Sequence, residues 1–270
     1  MNTISEFISY PFIQRALIAS IMVGILCPFV GGFVVLRKMS FFSNAISHSA
    51  FAGIAIGALL GIDFSVSSLA LAVLIAFFIA YISEKTTLSP DTVIGIAFSA
   101  VIASGILVMG MLKGYRTDLF AFLFGDILAV SKTDLLLIFI TGALTLTIIL
   151  SFFKPLMQIT FNRDLARVEG INVRFFEYLL FLLIALVVTV SLKIVGIILV
   201  TSLLIVPAAA AKNIASSMGR LFSLSCIFGI TSGIAGLIGS VYLNTASGPT
   251  IVLVSIGIFF LTMLRPASGK

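Results

Sequence analysis

The sequence predicts an all-α, polytopic transmembrane bundle of about nine spans, eight at the fewest, and three observations predict it. Hydrophobic residues fill 60% of the 270 positions and charged residues only 10%, which leaves too little polar surface to clothe a water-soluble globule. Apolar stretches recur at the length, roughly 20 residues, that a helix needs to cross about 30 Å of hydrocarbon. Segments such as Leu179 to Val190 and Ile251 to Leu264 are apolar on every side, whereas a spanning barrel strand alternates apolar and polar residues.

Hydropathy with polar punctuation places the spans near 11–36, 42–61, 65–83, 91–112, 133–153, 174–192, 195–211, 219–242 and 249–264. The first is too long for a secretory signal and lacks a basic leader, so it reads as a retained helix. Thr117 to Val130 is apolar but interrupted by Gly125 and Asp126; it reads as a half-helix, tolerable in a membrane only where protein or a water-filled cavity shelters its backbone. Between Ser191 and Gly196 the apolar run passes Lys193 with almost no loop, so a tight turn and a broken helix are both open. Cys27 and Cys226 lie inside apolar segments, where free cysteine behaves as a small hydrophobe.

Charge sets the orientation. Of the sixteen basic residues, Arg37, Lys38, Lys85, Lys154, Arg163, Arg167, Arg174, Lys212, Arg220, Arg265 and Lys270 fall on one set of alternate connections. The positive-inside rule then puts the N-terminus outside and the C-terminus in the cytoplasm. The net charge of +6 is therefore a topology signal, and no nucleic-acid partner is expected. The chain has no G-x-x-x-x-G-K-[ST] phosphate loop, H-E-x-x-H or G-x-S-x-G motif. It is expected to catalyse no covalent chemistry itself, and any ATP it depends on must be bound by another subunit.

With so few charges, an ionisable residue inside a span is a functional-site hypothesis. His48, the single histidine, follows Asn44 by one turn in the second span. At 100° per residue the two lie within about 40° of each other and can converge on one object. Gly53, Gly57 and Gly61 fall on the far side of that helix, a small-residue stripe that lets a neighbour approach closely. His48 has two readings, a hydrogen bond to another helix or a place on a transport pathway. The cost of burying unpaired polar groups beside Asn44, Ser47 and Ser49 favours the pathway. Neutral imidazole prefers first-row transition cations to calcium or magnesium.

Asp63, Asp118, Asp126 and Asp134 map to the outer side, as attractors at a cation entrance or as solvated loop residues. Glu177 reads as an interfacial residue at the cytoplasmic start of the sixth span. Pro207, followed by four alanines, is expected to kink or gate the seventh span. The longest charged connection, 161–170, sets Phe161, Leu165 and Val168 at helical spacing among Asn162, Arg163, Asp164, Arg167 and Glu169, with Gly170 as the stop. Such a helix can lie on the membrane or in a partner's groove.

These residues carry a family resemblance along the full length. Ser43-Asn44-Ala45-Ile46-Ser47-His48-Ser49-Ala50, followed by Gly53 and Gly57, is similar to the D-A-L-S-H-A stretch and G-I-A-x-G of the membrane permeases of ATP-binding-cassette importers for manganese, zinc and iron. Leu123 to Leu128 resembles their L-F-G-S-I-L. Val195 to Val200 with Leu203 to Ala209 resembles V-G-x-L-L-V…L-L-x-x-P-A-A, and Ser247 to Val252 resembles the glycine motif near their end. Four blocks in the right order are specific where one would not be.

The resemblance implies one permease domain over 1–270, paired with a second permease copy in a bacterial or archaeal plasma (inner) membrane. It further implies two cytoplasmic ATP-binding subunits and an extracytoplasmic metal-binding protein. The divalent metal is then the transported substrate, with no permanently bound cofactor. His48 and Asn44, with Ser47 behind them, would line the metal pathway, while Arg163, Asp164, Leu165, Arg167, Glu169 and Gly170 would form the helix that couples to the ATPase. A permease for a metal chelate such as a siderophore or cobalamin is the nearest rival; an intramembrane enzyme or sensor is more distant. One departure stands out: Asn44 occupies the place of an aspartate, which keeps an oxygen ligand and loses a charge.

Overall fold

The computed structural model describes residues 10–111 and 127–264. Those residues are helical, with no strand among them, and each long helix begins or ends where polar atoms meet its free backbone groups. Helix α1 (Pro11–Leu36) carries Pro28 inside it and ends at Arg37 and Lys38, where Lys38 adopts φ 56°. Helix α2 (Phe41–Leu60) stops at Gly61, whose φ of 68° suits a residue without Cβ and whose amide donates to the Gly57 carbonyl. Helix α3 (Phe64–Lys85) is capped by Asp63, whose carboxylate accepts from the amides of Ser65 at 2.9 Å and Val66 at 3.1 Å.

Helix α4 (Pro90–Met111) opens on proline at its first position, behind Ser89, whose hydroxyl accepts from the Thr92 amide. A single 3₁₀ turn, Ile127–Ala129, precedes α5 (Lys132–Ser151). Ser131 and Asp134 cap α5 reciprocally: the Asp134 amide donates to the Ser131 hydroxyl at 3.1 Å, and the Ser131 amide donates to the Asp134 carboxylate at 3.2 Å. Two short helices follow, α6 (Phe153–Phe161) and α7 (Arg163–Val168), with the Asn162 side chain capping the second. Then come α8 (Val173–Ile214), α9 (Met218–Tyr242) capped by Ser217, and α10 (Ser247–Met263).

Among the described residues seven helices are long and apolar enough to cross a membrane, and α10 is a shorter apolar one. The helix starts and ends fall within about two residues of the expected spans at most boundaries. The sixth and seventh expected spans form the one element α8, broken at Gly196, where φ is 78° and ψ is 167°. That backbone region is open essentially to glycine alone. Gly196→Ala is expected to cost about 1–3 kcal/mol and to lower the melting temperature of the detergent-solubilised protein. Gly257→Ala, where an added Cβ meets nothing within 4 Å, is the control that should leave it unchanged.

The chain divides into two compact units. One holds the described residues 10–32, 127–142 and 191–264; the other holds 33–111 and 143–190. The first is built on close crossings of small residues. A Cβ on Gly229 would stand 2.1 Å from the Gly24 carbonyl oxygen, the same carbonyl that Pro28 leaves without its usual helical donor. A Cβ on Gly31 would stand 1.7 Å from the Leu204 carbonyl oxygen, and one on Gly236 would stand 2.4 Å from the Ile251 Cα. Without a hydrophobic drive between helices in lipid, such contacts and the hydrogen bonds beside them supply the association. The Cys27 thiol to the Ser191 hydroxyl is one of these, at 3.6 Å. The Lys193 ammonium also pairs with Asp134 at 3.2 Å.

In the second unit α2 packs between α3 and α4. Gly53 and Gly57 do meet α3, against the backbone of Ser67 and Ser68 and the Ser67 side chain. Gly61 does not extend the stripe: it caps the helix, and a Cβ there would meet nothing within 4 Å. Most of the α2 span is buried, whereas α3, α4 and α5 turn large apolar residues such as Phe78, Leu107 and Phe139 outward, as helices solvated by lipid chains do.

Candidate functional site

Helix α2 gathers four polar side chains on its first two turns. Ser43 and Ser47, one turn apart, are fully buried, and neither hydroxyl has a hydrogen-bond partner. Asn44 and His48, also one turn apart, are half-buried, and neither side chain is hydrogen-bonded among the described residues. Ser49 differs, because its hydroxyl folds back onto the Ala45 carbonyl at 2.6 Å. The sequence therefore sets two adjacent polar pairs side by side, and neither pair has a hydrogen-bond partner among the described residues.

His48 faces α4. Its ring meets Phe98 edge to face, with centroids 5.2 Å apart and planes at 79°. Beside it opens a cavity of about 210 Å³ between His48, Phe51 and Ala52 of α2 and Val101, Gly105 and Met109 of α4. Among the described residues that line it, the imidazole is the one polar side chain. Gly105 lets the helices close below the cavity, since a Cβ there would lie 3.3 Å from the Ala52 Cβ. Asn44 does not line the cavity. Among the described residues no three His, Cys, Asp or Glu side chains cluster as a closed metal cage.

The expected cation entrance is only partly within view. Asp63 is exposed and its carboxylate oxygen is engaged in capping α3. Asp118 and Asp126, with most of the expected half-helix, lie outside the described residues. Pro207 sits in helical backbone and is buried with Ala208, Ala210 and Ala211 behind it; the non-helical residue of α8 is Gly196.

The charged connection forms a helix shorter than the expected 161–170. Helix α7 is held by Asn162 at its start and by Gly170, at φ 80°, beyond its end. Ala166 turns inward onto Ile159 and Val173. Phe161, Leu165 and Val168 turn outward and are exposed, Val168 at 86%. Arg167 and Asp164 pair at 3.4 Å on that exposed side, and Gln158 donates to Glu169. An outward apolar face on a charged helix can lie on a membrane surface or in a partner's groove.

What the sequence reading missed lies just behind α7. Glu177 is a bridging carboxylate: one oxygen takes the Arg163 guanidinium at 2.5 Å and lies 3.5 Å from that of Arg37. Arg37 also donates from Nε to the Thr160 hydroxyl at 3.1 Å. Burial pushes Arg37 down to about 10, against the opposing pull of Glu177, which leaves it charged at neutral pH. A lone glutamate entering an apolar helix, with an arginine closing another, was the available signal.

The ABC 3 transport family model matches residues 9–266. This chain belongs to that family. Among its relatives, two match nearly all of its length. The manganese transport system membrane protein MntC of Halalkalibacterium halodurans is 39% identical, over 98% of this chain and 91% of its own. The high-affinity zinc uptake system membrane protein ZnuB of Haemophilus influenzae is 35% identical, over 93% and 96%. A solved structure, PsaBC from Streptococcus pneumoniae in complex with Fab, matches with a TM-score of 0.83 at 40% identity. That match covers 97% of this chain and 95% of the solved one.

Proposed function

We propose that this chain is the membrane-spanning permease of an importer for a divalent first-row transition metal, manganese before zinc or iron. It moves the ion by alternating access while a separate cytoplasmic subunit hydrolyses ATP. The observation that carries the reading is the unpartnered imidazole of His48 at a cavity between two membrane helices, beside Asn44 and Ser47. Manganese and zinc in the names of the relatives support the cargo. A cavity of about 210 Å³ suits an ion, being below the roughly 300–1,000 Å³ of small-molecule sites, and so argues against a chelate.

The same reading gives the chain nine spans, counting 173–195 and 197–214 separately around Gly196, with the N-terminus outside and the C-terminus in the cytoplasm of a bacterial cell. An extracytoplasmic metal-binding protein delivers the cation near Asp63, Asp118 and Asp126. Two permease copies sit on two ATP-binding subunits. Helix α7, with Arg163, Asp164, Leu165, Arg167, Glu169 and Gly170 and the outward face of Phe161, Leu165 and Val168, is the docking segment. Pro207 and its alanines serve as a gate.

The test is uptake of radiolabelled manganese, zinc and iron by the complex reconstituted with its ATP-binding and metal-binding partners. Manganese is expected to accumulate only with ATP and the binding protein. Accumulation by the purified chain alone, or uptake of a siderophore or cobalamin in preference to the bare ions, would overturn the reading.

A further inference from the structure

Arg37, Glu177 and Arg163 form a chain of charge that runs from solvent inward. Their side chains are 39% exposed at Arg163, 13% at Glu177 and 6% at Arg37. Each belongs to a different element: Arg163 opens α7, Glu177 lies in the second turn of α8, and Arg37 closes α1. The Arg37 guanidinium reaches a fourth, because Thr160 of α6 accepts from its Nε and donates in turn to the Leu156 carbonyl. One carboxylate oxygen thus lies within ion-pair distance of two guanidinium groups that would otherwise repel each other; it and the Arg37 Nη atoms make no hydrogen bond among the described residues, so the link is one of charge. Removing a partner from such a site leaves uncompensated buried charge.

The connection beyond Arg37 is short and stiff. The Arg37 amide bonds back to Phe33, the Met39 amide to Val34 and the Phe42 amide to Met39, and α2 begins at Phe41. Asn44 and His48 stand one and two turns further on. Arg174 and Glu84 also pair nearby, but in the open, where ion pairs hold little. The Glu177 bridge is thus a buried charged link from α7 to the root of α2 among the described residues.

We infer that Glu177 is a positioning residue for transport: by holding Arg163 and Arg37 together it passes the displacement of α7 into the helix that carries His48. This rests on the transport reading above. Glu177→Gln keeps the shape and a carbonyl acceptor and removes the charge that binds two arginines. In proteoliposomes holding the complete complex, ATP hydrolysis and manganese uptake are measured on the same vesicles. The expected result is hydrolysis within twofold of wild type with uptake reduced about tenfold, so that far fewer ions cross per ATP.

An unchanged ratio of ions to ATP, or loss of both activities in equal proportion with assembly intact, would overturn the inference. Should the Glu177→Gln chain fail to assemble, Arg37→Gln decides: it leaves the Arg163–Glu177 pair in place and removes only the charge that links it to α1, with the same fall in ratio expected and an unchanged ratio fatal. Wild-type vesicles that hydrolyse ATP but take up no metal would instead sink the transport reading itself.

Discussion

Replacing His48 with alanine is expected to lower ATP-driven manganese uptake by about 100-fold or more, with membrane insertion and subunit assembly retained. Losing a group that merely orients a metal ligand costs about 10–100-fold, so loss of the ligand itself belongs at or beyond the upper end. The imidazole has no hydrogen-bond partner among the described residues and borders an apolar cavity, so its removal breaks no hydrogen bond there and gives up only the edge-to-face contact with Phe98. His48→Gln separates the two readings of this residue. Glutamine retains hydrogen-bonding capacity and is a poor ligand for a transition metal, so it should fail as alanine does. Uptake restored by glutamine, or preserved in alanine, would make His48 helix glue and remove it from the ion's path.

Gly31→Ala is expected to have the largest effect on stability. The added Cβ would stand 1.7 Å from the Leu204 carbonyl oxygen and 2.7 Å from the carbonyl carbon. Both atoms are backbone, so no side-chain rotation relieves the clash and α1 must move away from α8. Overpacking a tight core costs about 1–3 kcal/mol and occasionally more, and a forced helix separation belongs at the top of that range. The protein should melt well below wild type in detergent and yield little monodisperse material. Gly142→Ala, 3.4 Å from a Leu26 methyl, should be nearly neutral. A Gly31→Ala protein as stable as wild type would show that this crossing is not under compression.

The long helices were legible because lipid imposes a length and an apolar composition that a sequence cannot conceal. Their ends were legible to within a few residues from polar punctuation, whereas the capping of free amides by Asp63, Ser131 and Asn162 emerged only from the structure. Gly196 was readable only as one of two options, because a positive φ leaves no mark on hydropathy. Gly31 and Gly61 look alike in sequence, yet one lies against a neighbouring backbone and the other ends a helix in open space. In the candidate site, His48 stood out by rarity. Val101, Gly105 and Met109, which line the cavity opposite it, and Phe98, which meets its ring, are ordinary apolar residues that only the packing of α4 on α2 selects. The Glu177 bridge joins residues distant in the chain, so Glu177 read as an interfacial charge, Arg37 as a topology signal and Arg163 as part of the charged connection.

The glycine face of α2 gives that helix two mechanically unlike neighbours. On the α3 side, Gly53 would place a Cβ 2.6 Å from the Ser67 carbonyl, so there is no free volume for compression. On the α4 side, an imidazole, a phenyl edge and an empty space set the separation. Any strain imposed on α2 is therefore relieved toward α4, with α3 carried along as ballast, and the volume change falls where the imidazole is.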